Sequence, residues 1–284
     1  MLTFARFIRR ADRRSSRMFY VNNAAFDIDA NLVYDIPVPA DILLAIEVAQ
    51  LQDQILVNDL LTVDGAGPLT TISGEDGVGR RTWVPASGRL SIHYHAKVDL
   101  CREPAPIGKL ATTPRSRLAQ PVIPYLWPSR YCESDRFAAF VVREFGHVTG
   151  GAQVQAMAEW ISTHLEYCLG SSDTATTAVV AFVSRQGVCW DLAHLLAAFA
   201  RAADTPARLV SAYAFGLKSQ DFHAVVEVWL EGAWHLVDAT RLASPENLIR
   251  IAVGRDATDV SFMTIFGVAF LVEQSISVAQ GNPG

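Results

Sequence analysis

The sequence predicts an α+β chain: an all-β sandwich domain first, then a core of helices packed on an antiparallel sheet. Three observations predict it. Within residues 26–100, Leu90, Ile92, Tyr94, Ala96, Val98 and Leu100 alternate with Ser91, His93, His95, Lys97 and Asp99, the pattern of a half-buried strand. Residues 103–128 then hold six of the 13 prolines. Beyond them apolar residues recur at three- and four-residue spacing, before two β-rich runs flank a Glu231-Gly232 turn.

Composition narrows the class. The 284 residues suffice for one large domain or two smaller ones. With 50% apolar and 19% charged residues, the chain suits a compact globular protein. A formal charge of −5 and a pI near 5.8 argue against nucleic-acid binding, which needs a basic face. No apolar run approaches the roughly 20 residues of a membrane span, and the start lacks a hydrophobic signal core. The expected compartment is the cytoplasm. Cys101, Cys132, Cys168 and Cys189 form no C-x-x-C pair, so neither a disulfide framework nor a cysteine zinc site is expected. Three of them read as small buried hydrophobes.

Taken in order, residues 1–20 form a basic extension with Arg6, Arg9, Arg10, Arg13, Arg14 and Arg17 among Phe4, Phe7, Ile8 and Phe19. That composition fits either a basic amphipathic helix or a loose terminus dispensable for folding. Residues 21–103 form the β-sandwich of six to eight strands, with runs at Asp41–Ala49 and Gln54–Val63 and turns at Asp64–Pro68 and Gly74–Gly79. His93 and His95 share one strand face, but with no third ligand nearby they read as solvated. Residues 104–128 are a Pro-rich linker, because so many prolines exclude regular helix or central strand. It ends in the aromatic stretch Tyr125–Asp135, either a cleft wall or a staple onto the core.

Residues 129–284 form the catalytic domain. Helices are expected over Asp135–Phe145 with Ser134 as cap, and along Val154, Met157, Ile161, Leu165 and Cys168 up to Gly170. A third runs from Thr174 through Val183. Gly187 then breaks the chain, and Leu192, Leu195, Leu196 and Phe199 mark one face of a helix whose first turn carries Cys189. Free N–H groups and the positive dipole end there favour a thiolate and can hold an oxyanion. After Asp204-Thr205-Pro206, Arg208–Phe215 begins the sheet, and Val268–Val278 ends it.

The hairpin supplies partners for the sulfur. A two-residue turn pairs Leu230 with Ala233, sets His223 opposite Thr240 and makes Asp238 its diagonal neighbour on one face. Cys189 as nucleophile, His223 as base and Asp238 as orienter complete the logic of a triad. Gln186 and Trp190 flank the nucleophile as oxyanion or cleft candidates, although packing explains each as well. His194 is rotated away from Cys189 and reads as internally bonded, and His235 is no stronger. Asp191 suits the helix dipole. Arg255, Asp256 and Asp259 read as a structural ion-pair cluster.

Gly187-Val188-Cys189-Trp190-Asp191-Leu192-Ala193-His194-Leu195, Pro206-Ala207-Arg208, Phe222-His223-Ala224 and Val237-Asp238-Ala239-Thr240 together resemble the transglutaminase-like superfamily. Over roughly residues 120–270 the chain is most similar to the bacterial branch labelled as cysteine proteases, which carries an N-terminal β-domain. The resemblance implies a papain-type core and a triad of Cys189, His223 and Asp238. It also implies acyl transfer through a cysteine thioester on peptide or glutamine carboxamide carbonyls, a protein or peptide substrate, and neither cofactor nor metal. That superfamily cross-links, deamidates, hydrolyses and deglycosylates, so substrate and acceptor stay open. A rival expectation is a non-catalytic protein-binding module that retains the fold. A metal site of Cys189, His194 and His223 lacks regular ligand spacing.

Overall fold

The structure, a computed structural model, describes residues 24–103 and 106–281. The basic extension of residues 1–20 lies outside the described residues. Among those described, no helix is long and apolar enough to cross a membrane.

The N-terminal region is built on two 21-residue strands, β1 (Ala24–Leu44) and β4 (Arg80–Leu100), with β2 (Gln54–Ala66) and β3 (Thr70–Ser73) between them in sequence. Alternation puts Ile28, Ala30, Leu32, Tyr34 and Ile36 of β1 inside, matched by Leu90, Ile92, Tyr94, Ala96 and Val98 of β4. Both strands run from Ala24↔Leu100 to Leu44↔Thr82, with one register slip between Ile36 and Ala40. At that level Pro37-Val38-Pro39 and Ser87-Gly88-Arg89 are both exposed. Two prolines cannot supply ladder donors, so the pairing breaks there and resumes with the same face inside.

The second half contains α1 (Ala138–Phe145), α2 (Gly150–His164), β5 (Glu166–Tyr167), α3 (Ala178–Ser184), β6 (Gln186–Gly187), α4 (Cys189–Ala202) and β7 (Ala207–Ala214). Next come β8 (His223–Leu230), β9 (Ala233–Val237), β10 (Leu248–Gly254), α5 (Ala257–Val260), β11 (Met263–Phe266) and β12 (Phe270–Gln280). An antiparallel sheet of order β10-β7-β8-β9 carries the expected hairpin, with Leu230↔Ala233 across a turn in which Glu231 and Gly232 take φ of 50° and 83°. Strands β7 and β10 are buried throughout because both faces are covered. Leu209, Tyr213, Val226 and Val228 share a cluster with α4, whereas Val210, Ala212, Val225 and Val253 pack with Ala49 and Val78 from the N-terminal half. Helix α4 is buried from Leu192 to Arg201, and its Phe199 meets Phe137, Phe140, Trp160 and Phe182 at ring-centroid distances of 5.1 to 6.2 Å.

Several expectations are corrected. The four N-terminal strands join β11 and β12 in one hydrogen-bonded set of six antiparallel strands, in which β1 and β4 each continue past the proline level. The chain's last strands, expected within a unit of residues 129–284, return to that sheet: β11 and β12 both pair with β1. A strand's own pattern does not name its partner. The Pro-rich stretch docks on the hairpin turn. Ala111 exchanges hydrogen bonds with Glu231, and Gly232 N–H donates to Thr113 Oγ1 at 3.0 Å. Tyr125 staples, its hydroxyl donating to Asp76 at 2.7 Å, while Tyr131 walls a cavity described below. Strand β1 ends at Leu44, not Ala49. The first helix begins as a 3-10 turn at Ser134–Arg136, and Thr177, not Thr174, starts the third. All four cysteines are free, but Cys101 and Cys168 are only partly buried.

The two halves are also joined by charge. Glu227, 0% exposed, accepts from Arg208 Nε at 2.7 Å and from Arg250 Nη1 at 2.8 Å. Arg208 reaches on to Asp76 at 3.0 Å, and Arg250 to Asp53. Burial pushes the Glu227 carboxyl up, but the two guanidinium groups outweigh it and hold it below the ordinary range.

Candidate active site

Cys189 opens α4 and is 6% exposed. What fixes the helix start is local: Asp191 reaches back to accept the Val188 N–H at 2.8 Å. Gly187 is required by that close approach, since a Cβ there would stand 2.7 Å from the Asp191 Cβ. Asp191 is 3% exposed, and its burial raises its carboxyl pKa. Its place is therefore structural as well as electrostatic.

His223, the first residue of β8, and Asp238, just past β9, are diagonal neighbours as the hairpin parity requires. His223 Nε2 lies 3.0 Å from Asp238 Oδ2, with both side chains 2% exposed. The Asp238 carboxylate also accepts from Thr240 N at 2.8 Å, Thr240 Oγ1 at 2.7 Å and Ala243 N at 3.0 Å, which fixes its orientation. Burial pushes the His223 imidazole down, yet hydrogen bonding to Asp238 and to the Cys189 thiol outweighs it and raises the pKa to about 9. Burial pushes the Asp238 carboxyl up, but His223 outweighs that and the net shift is downward. With Nε2 given to Asp238, Nδ1 is the other ring nitrogen.

These shifts predict a pH signature in stability. The raised His223 pKa means its contribution is fully present below about 6.5 and is lost as pH rises through about 9. The depressed Asp238 pKa makes its part present above the ordinary 3.8 and lost in stronger acid. Urea denaturation of the native chain and His223→Gln should differ most near pH 6 and converge by pH 9.5 or so. A difference independent of pH would contradict the charged pair.

The remaining predicted residues separate. Gln186 is exposed, and its amide donates to Glu166 at 3.4 Å. Trp190 lines a cavity with His194. His194 Nε2 accepts from Ala257 N–H, His235 Nε2 meets Leu230 O at 3.2 Å, and His93 meets Asp29 at 2.8 Å. Asp256 caps α5 through Thr258 N, and Arg255 pairs with Asp259. Among the described residues no cluster of three or more metal-ligating side chains occurs.

One neighbour was not anticipated. Tyr167, 41% exposed, lies close enough to Cys189 for the cysteine to perturb its hydroxyl. Burial, and then the neighbouring cysteine, push its pKa up to about 12. It gets there because α2 ends at His164, short of the expected Gly170, and Glu166-Tyr167 pairs in parallel with Gln186-Gly187. The helical spacing from Val154 to Cys168 concealed that early end.

Residues 139–239, which span α1 to the Asp238 loop, match the transglutaminase-like superfamily. A crystal structure described as "a Putative Cysteine Protease from Cytophaga hutchinsonii" is 32% identical, with a TM-score of 0.86 over 93% of this chain and 92% of that one. The chain belongs to the transglutaminase-like superfamily. Because that match runs nearly end to end, the N-terminal sheet is part of the shared architecture and not an unrelated addition. Among curated proteins, ML0607 of Mycobacterium leprae (strain TN), an uncharacterized protein, is 30% identical over 116 residues. This transglutaminase-like chain spans only 42% of that relative's length, with 38% of its own covered. The periplasmic domain of TgpA from Pseudomonas aeruginosa is 18% identical with a TM-score of 0.40, covering 78% of this chain and 91% of that one.

Proposed function

We propose that the chain is a cysteine-dependent acyl-transfer enzyme acting on peptide or glutamine carboxamide carbonyls, of protease, deamidase or transglutaminase type. The observation that carries this reading is the buried His223–Asp238 pair, held at 3.0 Å, with Cys189 near enough to help raise the His223 pKa. In the proposed reaction the Cys189 sulfur attacks the carbonyl carbon, and α4 N–H groups receive the oxyanion. His223 protonates the departing amine or ammonia as the C–N bond breaks. Water or a second amine then attacks the thioester, giving its proton to His223 and restoring the thiol. Asp238 holds the imidazole orientation and supports its charge. This chemistry needs no cofactor. The description of the Cytophaga hutchinsonii protein as a cysteine protease supports the same class.

The near burial of Cys189 favours one rival reading, a protein-binding module whose thiol never turns over. Mass spectrometry of a glutamine-containing peptide pool, with and without added amine, separates the two. Loss of ammonia, amine adducts or chain cleavage, each absent in Cys189→Ala, is the expected result. A pool unchanged under all conditions would favour the binding module.

A further inference from the structure

We propose that Tyr167 is a catalytic residue: its hydroxyl, together with the Cys189 backbone N–H, donates to the oxyanion formed when the Cys189 sulfur attacks a carbonyl carbon. The proposal rests on the acyl-transfer reading and adds a named side-chain donor to that same site.

Backbone geometry places Tyr167 first. Glu166-Tyr167 runs parallel to Gln186-Gly187, with Tyr167 in register with Gly187, two residues ahead of the nucleophile. Two bonds hold that pairing. Glu166 N–H donates to Arg185 O at 2.8 Å, and Cys168 N–H donates to Gly187 O at 3.0 Å. Paired strands lie about 4.8 Å apart and two extended residues span about 7 Å, a gap that a phenol side chain largely bridges. Successive strand residues point to opposite sides, so Tyr167 turns away from the side on which Glu166 accepts the Gln186 amide.

The neighbours of the hydroxyl complete the placement. Both the thiol and the backbone N–H of Cys189 act on it, and so does Asp221, two residues before His223. It therefore stands between the helix that bears the sulfur and the strand that bears the base. Tyr167 is 41% exposed, so a substrate can reach it. The oxygen of a carbonyl carbon joined to the sulfur is only two bonds from it. That oxygen consequently falls beside the same N–H and hydroxyl.

The chemistry suits the position. Tyrosine hydroxyls and backbone N–H groups are both effective oxyanion donors. Burial, and then the cysteine, push the Tyr167 pKa up to about 12, so it keeps its proton at neutral pH and stays a donor. The flanking residues are committed elsewhere: the Gln186 amide donates to Glu166, and Trp190 lines the cavity with His194.

The test uses the full chain and two reagents that separate oxyanion formation from nucleophilicity. With p-nitrophenyl acetate the sulfur adds to the carbonyl carbon, giving a tetrahedral oxyanion. Its collapse expels p-nitrophenolate, which needs no proton from His223, and leaves an acetyl thioester. Iodoacetamide instead forms a thioether by displacing iodide at a tetrahedral carbon, with no oxyanion. Tyr167→Phe should slow acetylation of Cys189 by about 10²-fold, the effect of losing one such donor, and leave alkylation within about twofold of native. Tyr167→Ala should also slow acetylation, and Cys189→Ala supplies the background. Acetylation of Tyr167→Phe within about threefold of native, or equal slowing with both reagents, would overturn the donor role. Faster reaction of Tyr167→Ala with both reagents would do the same, making Tyr167 a steric cover. The two readings fail separately. A native Cys189 that alkylates but forms no acetyl thioester sinks acyl transfer and the donor with it, whereas native acetylation indifferent to Tyr167→Phe sinks the donor alone.

Discussion

Cys189→Ala is expected to lower turnover of any substrate by about 10⁵-fold or more, because in the proposed mechanism it removes the atom that carries the acyl group. His223→Asn should cost nearly as much, since sulfur and base act as one unit and their losses do not add. Asp238 differs, because its carboxylate does two jobs. It orients His223, and it also binds Thr240 and Ala243 in the loop that follows β9. Asp238→Asn should therefore lower kcat more than it slows alkylation of Cys189, and lower stability as well. Steady-state kinetics on a substrate found by the peptide screen, paired with urea denaturation, separates these effects. Residual turnover within tenfold of the native chain in Cys189→Ala would rule out the thioester route.

Glu227→Ala should produce the largest loss of stability in the chain. Two guanidinium groups converge on this fully buried carboxylate, Arg208 from β7 and Arg250 from β10. Removing the anion leaves two buried cations facing each other, and breaking such a pair from one side costs about 3–5 kcal/mol. For a chain of this size that corresponds to a fall in Tm on the order of 10 °C. The loss should reach the N-terminal half, because the same guanidinium groups hold Asp53 and Asp76. Glu227→Gln keeps the hydrogen-bond acceptor and the volume, so it should recover part of the loss. Calorimetry on the three proteins checks this, and a Glu227→Ala midpoint within 2 °C or so of native would show that the network adds little.

The legible part of this protein lies wherever neighbours in sequence decide the outcome. Strand parity around Glu231-Gly232 was enough to bring His223 to Asp238, because a two-residue turn fixes every cross-strand pair that follows. The start of α4 at Cys189 was readable from Gly187 and the apolar spacing behind it, since helix ends are set within one turn. Alternation likewise gave away β4, and the family followed from motifs that sit on these same elements.

Three things were decided only by the tertiary structure. Partner choice at long range returned β11 and β12 to β1, which no pattern inside those strands specifies. Pairing of Glu166-Tyr167 with Gln186-Gly187 overrode a helical spacing and brought Tyr167 near Cys189. The burial of His194, its stacking on Tyr131 and the Ala257 N–H at its Nε2 join residues far apart in sequence. Local propensity is worth tenths of a kcal/mol per residue, whereas burial and hydrogen bonding of such groups are worth kcal/mol each, so tertiary contacts prevail where the two conflict.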